Sequence, residues 1–509
     1  MKKLLLSIVV LFASFLNAQD ITDALRYSQQ DILGTARYRG MSGAFGALGG
    51  DLSAIQINPA GSAVFLNSYG SMTLSSTSIH NDAAYNTTVF SNGGVTNNSS
   101  NLNFNQVGVV IIYDHFDEDS SGINKISLGI TYDQTADNAD EMLSLGRSRN
   151  SIDRFFINEA QGVPLDLITR RVGENSTELY SFLGETEGYG AQQAFLGYET
   201  FIIEADNPDD PNNTSYSSNI GAGQFDQEYY YESTGINGKF TLNLGAQIHR
   251  DFYFGINLNS NFLNYDRVTE FFEENNNPGS TINSVLFTNR LTTYGVGFSA
   301  QIGGIAKISR MLRLGASYET PTWFYIEEET TQRLETISTI DGRAVVNPNT
   351  VNIFPEYELR TPARYTGSIA FLFGQRGLIS LDYSYKDYTS IQLSSDFGAI
   401  FSDTNARIDT RLQDVSTIRI GSEWRNKNWS IRGGYSFEES PYLNDLILSD
   451  RNGFSIGAGY HFDKFRFDVA YDYIEQQRLE RFYPNSGFDN FAIVDTSRET
   501  LTFTLGMNF

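Results

Sequence analysis

Three stretches of this chain carry residues at spacings associated with chemistry. Gly453-Phe454-Ser455-Ile456-Gly457 matches G-x-S-x-G, which in serine hydrolases sets a nucleophile on a sharp strand-to-helix turn. Here the alternation of apolar and small residues runs on through Ala458, Gly459 and Tyr460, so Ser455 belongs to a strand and the match is coincidental. Asp117 to Gly122 has the look of a calcium loop, but Leu128 stands where a bidentate glutamate is required. Asp206-Asn207-Pro208-Asp209-Asp210 reads as a solvated turn. His80, His115, His249 and His461 show no metal-ligand spacing, and the absence of cysteine removes thiolate ligands, disulfides and thiol nucleophiles. These patterns lead us to expect no enzyme activity, no metal and no cofactor.

The remaining chemistry is that of charge in an enclosed space. Arg313, Glu319, Arg364, Asp382, Lys386, Arg419, Glu423, Arg432, Glu438, Asp468 and Asp472 all fall on the polar side of alternating segments. They read as an ion-pair network that braces a wall and holds a plug through Arg37 and Arg39. Arg364, Arg313 and Arg419 are also candidates to bind a ligand carboxylate, since a guanidinium takes one bidentately. Phe45 is a further candidate contact in the lumen.

The elements that place these residues follow from the chain in order. Residues 1–18 read as a secretory signal: Lys2 and Lys3, an apolar run from Leu4 to Leu16, and a small residue at Ala18. Residues 19–66 are read as a plug. Within it, Gly34 to Gly61 is rich in glycine, which weakens a helix relative to alanine, and these small residues let the backbone approach a wall closely. Asp51 is placed to cap a short helical turn through Leu52, Ala54 and Ile55, which Asn58-Pro59 ends.

From residue 67 to 509 the pattern has period two. Ile126, Leu128, Ile130 and Tyr132 share one face; Ser127, Gly129, Thr131 and Asp133 share the other. The segments 239–249 and 453–462 repeat this arrangement. About fourteen such segments are separated alternately by tight turns, such as Arg250-Asp251 and Asp463-Lys464, and by longer loops. The composition, with 29 Tyr, 37 Phe and 45 Gly, fits strands that are apolar outside and polar inside. The mean hydropathy of −0.30 is compatible with this. The expected fold is therefore all-β: a transmembrane antiparallel barrel of about fourteen strands with an N-terminal plug in its lumen. A large extracellular loop is expected at 135–232, with Phe155, Phe156, Leu165, Leu167, Ile168, Phe182, Leu183 and Phe195 on short amphipathic helices forming a lid or capture groove. The net charge of −24 argues against nucleic acid as a partner.

The chain resembles the long-chain fatty-acid outer-membrane channels (FadL-type), a family that includes aromatic-hydrocarbon channels. The resemblance is carried by Asn58-Pro59-Ala60-Gly61, similar to the plug motif of that family, by Ala316 to Trp323, and by Leu359 to Arg364. It implies passive uptake of a hydrophobic small molecule, most simply a long-chain fatty acid, across the outer membrane of a Gram-negative cell. It further implies gating by the N-terminal segment and a lateral exit at a kink in the third strand, where Gly129 is the residue best able to bend. The implied surroundings are outer-membrane lipid and lipopolysaccharide. The terminal Phe509 resembles the signal read by the barrel assembly machinery. The alternatives are an aromatic-hydrocarbon channel, an adhesion or structural barrel, and a lipid hydrolase.

Overall fold

Alternation of apolar and small polar residues yields fourteen strands, each paired with its neighbour and closed into a ring. The computed structural model describes residues 20–86, 94–114, 122–340, 342–396, 401–483 and 487–509; the expected signal segment lies outside them. The strands are β1 Tyr69–Asn86, β2 Val95–Asp114, β3 Ile123–Asp137, β4 Ile236–Ile248, β5 Phe252–Glu274, β6 Ile282–Lys307 and β7 Leu312–Glu319. The second half comprises β8 Arg364–Leu372, β9 Gly377–Asp387, β10 Asp414–Asn426, β11 Trp429–Glu438, β12 Arg451–Phe462, β13 Phe465–Arg481 and β14 Phe491–Asn508. β14 pairs antiparallel with β1 along its whole length, from Phe491 opposite Asn86 to Asn508 opposite Tyr69, and leaves no edge.

Burial separates the two faces. On β5, Phe252, Phe254, Ile256 and Leu258 are exposed to the outside, while Tyr253, Asn257, Asn259 and Asn261 are buried within. Two aromatic zones bracket the apolar belt, as expected at membrane interfaces. At the end where β1 begins and β14 finishes, Phe373 stacks on Trp424 and Trp429 packs on Tyr460. Toward the other end, Tyr132 contacts Phe104, Phe240 and Phe262. The short turns lie at the first end, the periplasmic side of such barrels. There His249, Arg250, Lys427 and Asp463 adopt the positive φ that two-residue hairpins demand.

The region 135–232 differs from the loop expected there. β3 continues to Asp137, and a further pair of strands, Asp140–Ser148 and Phe225–Thr234, extends the wall beyond the membrane. β5 and β6 extend with them: the outer part of β5 pairs with Phe225–Thr234, and the outer part of β6 with Trp323–Ser338. The segment from Leu359 onward is likewise divided between two pieces. Tyr357–Arg360 joins the outer sheet, and β8 starts only after Thr361-Pro362, where proline removes a donor from the ladder. Thr320-Pro321 makes the matching break after β7.

Between the added strands stand helices α3 Asp153–Ala160, α4 Leu165–Ile168, α5 Ser176–Thr186 and α6 Tyr189–Glu199. Their apolar residues turn inward. Phe155, Phe156, Leu183 and Phe195 are buried together with Phe271, Phe287, Tyr483 and Phe488 from the strands and the last hairpin, while Phe182 faces outward. The helices thus make a cap with its own core. Phe156→Ala is expected to cost the cap about 3–5 kcal/mol. Limited proteolysis should then cut between residues 149 and 224 while the barrel keeps its heat-dependent gel mobility.

Candidate functional site

A backbone segment with little regular structure cannot satisfy its own polar groups, and the plug relies on the wall for them. It contains helices α1 Ile21–Ser28 and α2 Ala36–Arg39, then two 3₁₀ turns, Ser53–Gln56 and Pro59–Val64. Asp51 accepts Ser53 N at 3.1 Å and Thr35 Oγ1 at 2.7 Å; the N-cap of the first turn is Leu52, so Asp51 braces the turn from the residue before it instead of capping it. The wall answers the plug's carbonyls one by one. Asn257 donates to Ile55 O at 2.9 Å, Gln301 to Ile57 O at 2.9 Å and Asn243 to Pro59 O at 3.0 Å. Lys125 Nζ donates to Phe65 O at 2.6 Å. Plug amides are met in the same way: Asp382 accepts Phe45 N and Gly46 N at 2.9 and 2.8 Å.

Asn58, Pro59, Ala60 and Gly61 are the crossing point of these contacts. The Asn58 side chain accepts Ala60 N at 3.1 Å and donates to Gly46 O at 2.8 Å and to Gly304 O of β6 at 3.0 Å. Gly61 O accepts Gly50 N at 3.0 Å. The wall is cut away to receive this turn. A methyl group at Gly255 would lie 2.3 Å from Pro59 C, and one at Gly315 would lie 2.3 Å from Gly46 O. Only glycine fits at either position.

Charge fastens the rest. Arg37 bonds the fully buried Glu423 at 2.8 and 3.3 Å, and Glu423 also receives Arg432 at 2.7 Å and Arg425. Arg432 continues to Asp468 at 2.9 Å. Arg39 holds Asp472 bidentately at 2.8 and 2.7 Å. The candidate arginines fall within this framework. Arg364 pairs with Glu319 at 2.5 Å and donates to Gln56 O at 2.8 Å. Arg313 donates to Leu48 O at 3.0 Å. Arg419 is buried, and its Nε has no hydrogen-bond partner among the described residues. Phe45 lies fully buried beneath Arg37, whose guanidinium sits 5.1 Å above the ring.

α1 reaches further up the lumen. Asp20 and Asp23 form a capping box at its start. Ile21, Ala24, Leu25 and Tyr27 are buried against Tyr265, Leu291, Phe324, Tyr388, Phe401 and Tyr442. Helix α7, Ser402–Arg411, belongs to the same cluster through Ile408. Tyr27 donates to Thr293 of β6 at 3.0 Å, and Arg26 lies 4.4 Å over the Tyr265 ring. Between α1 and the wall is a cavity of about 270 Å³. Its apolar lining includes Leu25, Ile32, Leu33, Ile447, Leu448 and Leu479; charge of both signs comes from Arg26, Arg39, Arg451, Arg478 and Arg498 and from Asp31, Asp137, Asp140 and Glu480.

The cavity also touches Ala136, Asp137 and Asn138 of the third strand's outer end. There the backbone ladder is interrupted. Backbone pairing of β2 with β3 stops at Gln106 opposite Asp133. Beyond that point Asn103 donates to Asp137 at 2.7 Å and Asn105 to Gln134 at 3.2 Å, side chains replacing the ladder. Of the two register shifts in the pairing of β3 with β4, one falls at its start, between Ile123 and Lys125, and the other here, between Gln134 and Ala136. Gly129 lies in regular pairing opposite Val110 and Asn243, so the irregularity is not where glycine suggested. Sequence reading also missed Asn243, Asn257 and Gln301 as plug-holding groups. Their signal was amides repeated on the polar face of consecutive strands.

The model of the outer membrane protein transport protein family (OMPP1/FadL/TodX) matches residues 213–508. The crystal structure of a Pseudomonas aeruginosa FadL homologue is similar, with 13% identity, 95% of this chain and 100% of that chain covered, and a TM-score of 0.54. The Pseudomonas putida toluene transporter TodX matches with 14% identity, 95% and 100% coverage, and a TM-score of 0.50. No curated protein sequence matches the chain.

Glu423→Gln would leave Arg37 and Arg432 buried beside a neutral group, a loss of about 3–5 kcal/mol. In an Ala44→Cys background, which carries the sole thiol of the chain, the buried site should then react with a maleimide at least about tenfold faster.

Proposed function

We propose passive, gated uptake of long-chain fatty acids: the chain belongs to the OMPP1/FadL/TodX family of outer membrane transport proteins, which makes it a channel for hydrophobic compounds. The observation that carries the finer reading is the cavity beside α1. It lies within the barrel, is apolar on one side, and is lined by five arginines, each paired at rest with a carboxylate (Asp23, Asp472, Asp31 or Asp140), so a ligand carboxylate is held by exchange with those partners when α1 moves. α1 forms part of its boundary, so displacing residues 20–32 enlarges the cavity and opens the lumen. Residues 19–66 act as the gate in this reading, and the polar seat of Asn58-Pro59-Ala60-Gly61 is the fixed point about which the upper segment moves. Arg364 and Arg313 then serve the plug rather than the ligand. Arg419 becomes available to a carboxylate only once the plug shifts.

The ligand leaves through the seam between β2 and β3, where side-chain bonds at Asp137 and Gln134 stand in for backbone pairing. Such bonds break without unravelling a strand. The aromatic-hydrocarbon reading is favoured by the modest cavity size and by Tyr231, Tyr265 and Tyr442 in its lining.

Uptake of labelled oleate and of toluene by cells that rely on this protein separates the two. Oleate entry that changes when residues 20–32 are removed supports the gated fatty-acid channel. Toluene entry without oleate entry selects the aromatic reading, and entry of neither rejects transport. A disulfide between Asn103→Cys and Asp137→Cys should abolish uptake under oxidising conditions and restore it on reduction. Undiminished flux through the cross-linked barrel would place the exit elsewhere.

A further inference from the structure

The five tight turns at the periplasmic end, 248–252, 307–312, 373–377, 425–429 and 462–465, concentrate charge of the sign opposite to the chain as a whole. They hold Arg250, Lys307, Arg310, Arg376, Arg425, Lys427 and Lys464 against only Asp251 and Asp463, in a protein of net charge −24. Some of these cations are already engaged: Arg425 pairs with Glu423, and Lys307 lies over the Tyr253 ring. Arg310, Arg376, Lys427 and Lys464 are exposed and form no ion pair among the described residues.

Each of these four sits beside large apolar side chains that face outward from the barrel. Arg310 lies between exposed Ile308 and Met311, and Lys464 between exposed Phe462 and Phe465. Lys427 is two residues from Trp429, the most exposed tryptophan, and Arg376 follows the ring of Phe373 stacked on Trp424. Long cationic side chains next to an apolar belt extend along it and place their charge at the headgroup level. The turns are too short to project toward a soluble partner, and they are spread around the circumference instead of collecting at the mouth. The connection between β2 and β3 at the same end carries Asp117, Glu118 and Asp119, but residues 115–121 lie outside those described.

We infer that this rim is a binding surface for anionic phospholipid headgroups of the periplasmic leaflet, with the guanidinium and ammonium groups of the turns meeting lipid phosphates. Attraction to an anionic surface accumulates residue by residue and is screened by salt. The inference is independent of what the channel carries.

The chain has three tryptophans, two of them at this rim, which provides the measurement. A full-length Trp323→Phe protein is reconstituted into phosphatidylcholine vesicles. An equal mole fraction of brominated phosphatidylglycerol or brominated phosphatidylcholine is then introduced, and quenching of Trp424 and Trp429 is recorded. The expected result is about twofold stronger quenching by the anionic lipid at low salt, falling toward parity in high salt. The quadruple variant Arg310→Gln, Arg376→Gln, Lys427→Gln and Lys464→Gln should show no preference while keeping the heat-dependent gel mobility of a folded barrel. Equal quenching by both lipids in the unsubstituted protein overturns the inference and leaves an acidic soluble partner as the reading of the rim. A preference that persists in the quadruple variant, or that high salt leaves unchanged, overturns it as well.

Discussion

A polypeptide inside a closed barrel has neither water nor a neighbouring strand to take up its amides and carbonyls, and the structure rests on how that demand is met. The plug contains only short helices, so its unsatisfied groups are many. The wall supplies an amide, a hydroxyl, a carboxylate or an ammonium for one after another: Asn243, Asn257, Gln301, Ser317, Asp382 and Lys125. These groups are positioned by strands whose other face is fixed in lipid. The outward apolar pattern therefore determines where the inward donors stand, and the plug has one place to sit.

Strand character and barrel closure were legible because period two is a local property, and it survives in segments such as 124–133 without knowledge of their neighbours. The plug was legible from glycine and alanine content for the same reason. Partner choice was not. Arg37 and Glu423 are separated by 386 positions, and nothing near either residue announces the other. The outer sheet was missed because alternation in Phe225–Thr234 continues beyond the membrane, where Phe225, Tyr229 and Tyr231 pack under helices while Glu228 and Glu232 meet water. That pattern looks, residue by residue, like a strand in lipid with its polar side reversed. The third strand failed for a different reason. Glycine permits a bend without causing one, and the irregularity near Gln134 arises where β2 turns to pair with β1 alone.

The charge network and the cavity occupy different heights of the lumen. Glu423, with its cluster of arginines, sits low, near the periplasmic turns, and the cavity lies higher, beside α1. Arg39 belongs to both, pairing with Asp472 while lining the cavity. A buried carboxylate surrounded by several guanidinium groups is a rigid joint, since no member can leave without stranding charge. Higher up, α1 is held by packing, a Tyr27 hydroxyl and a ring contact, and Asp31 just beyond it pairs with Arg451 and Arg498.

β6 runs for 26 residues from the periplasmic turn to the cap, pairing with β7 below and with Trp323–Ser338 above. From Val285 to its periplasmic end, side chains along it alternate between the two kinds of surroundings. A single-residue insertion or deletion anywhere in its middle would reverse the facing of every residue on one side of the change, sending Phe287 out of the cap or Gln301 into lipid. Membrane barrel and external cap are consequently bound to a common register. Length variation among descendants of this chain has to accumulate in the connections between strands, and the two halves of the molecule must diverge in step.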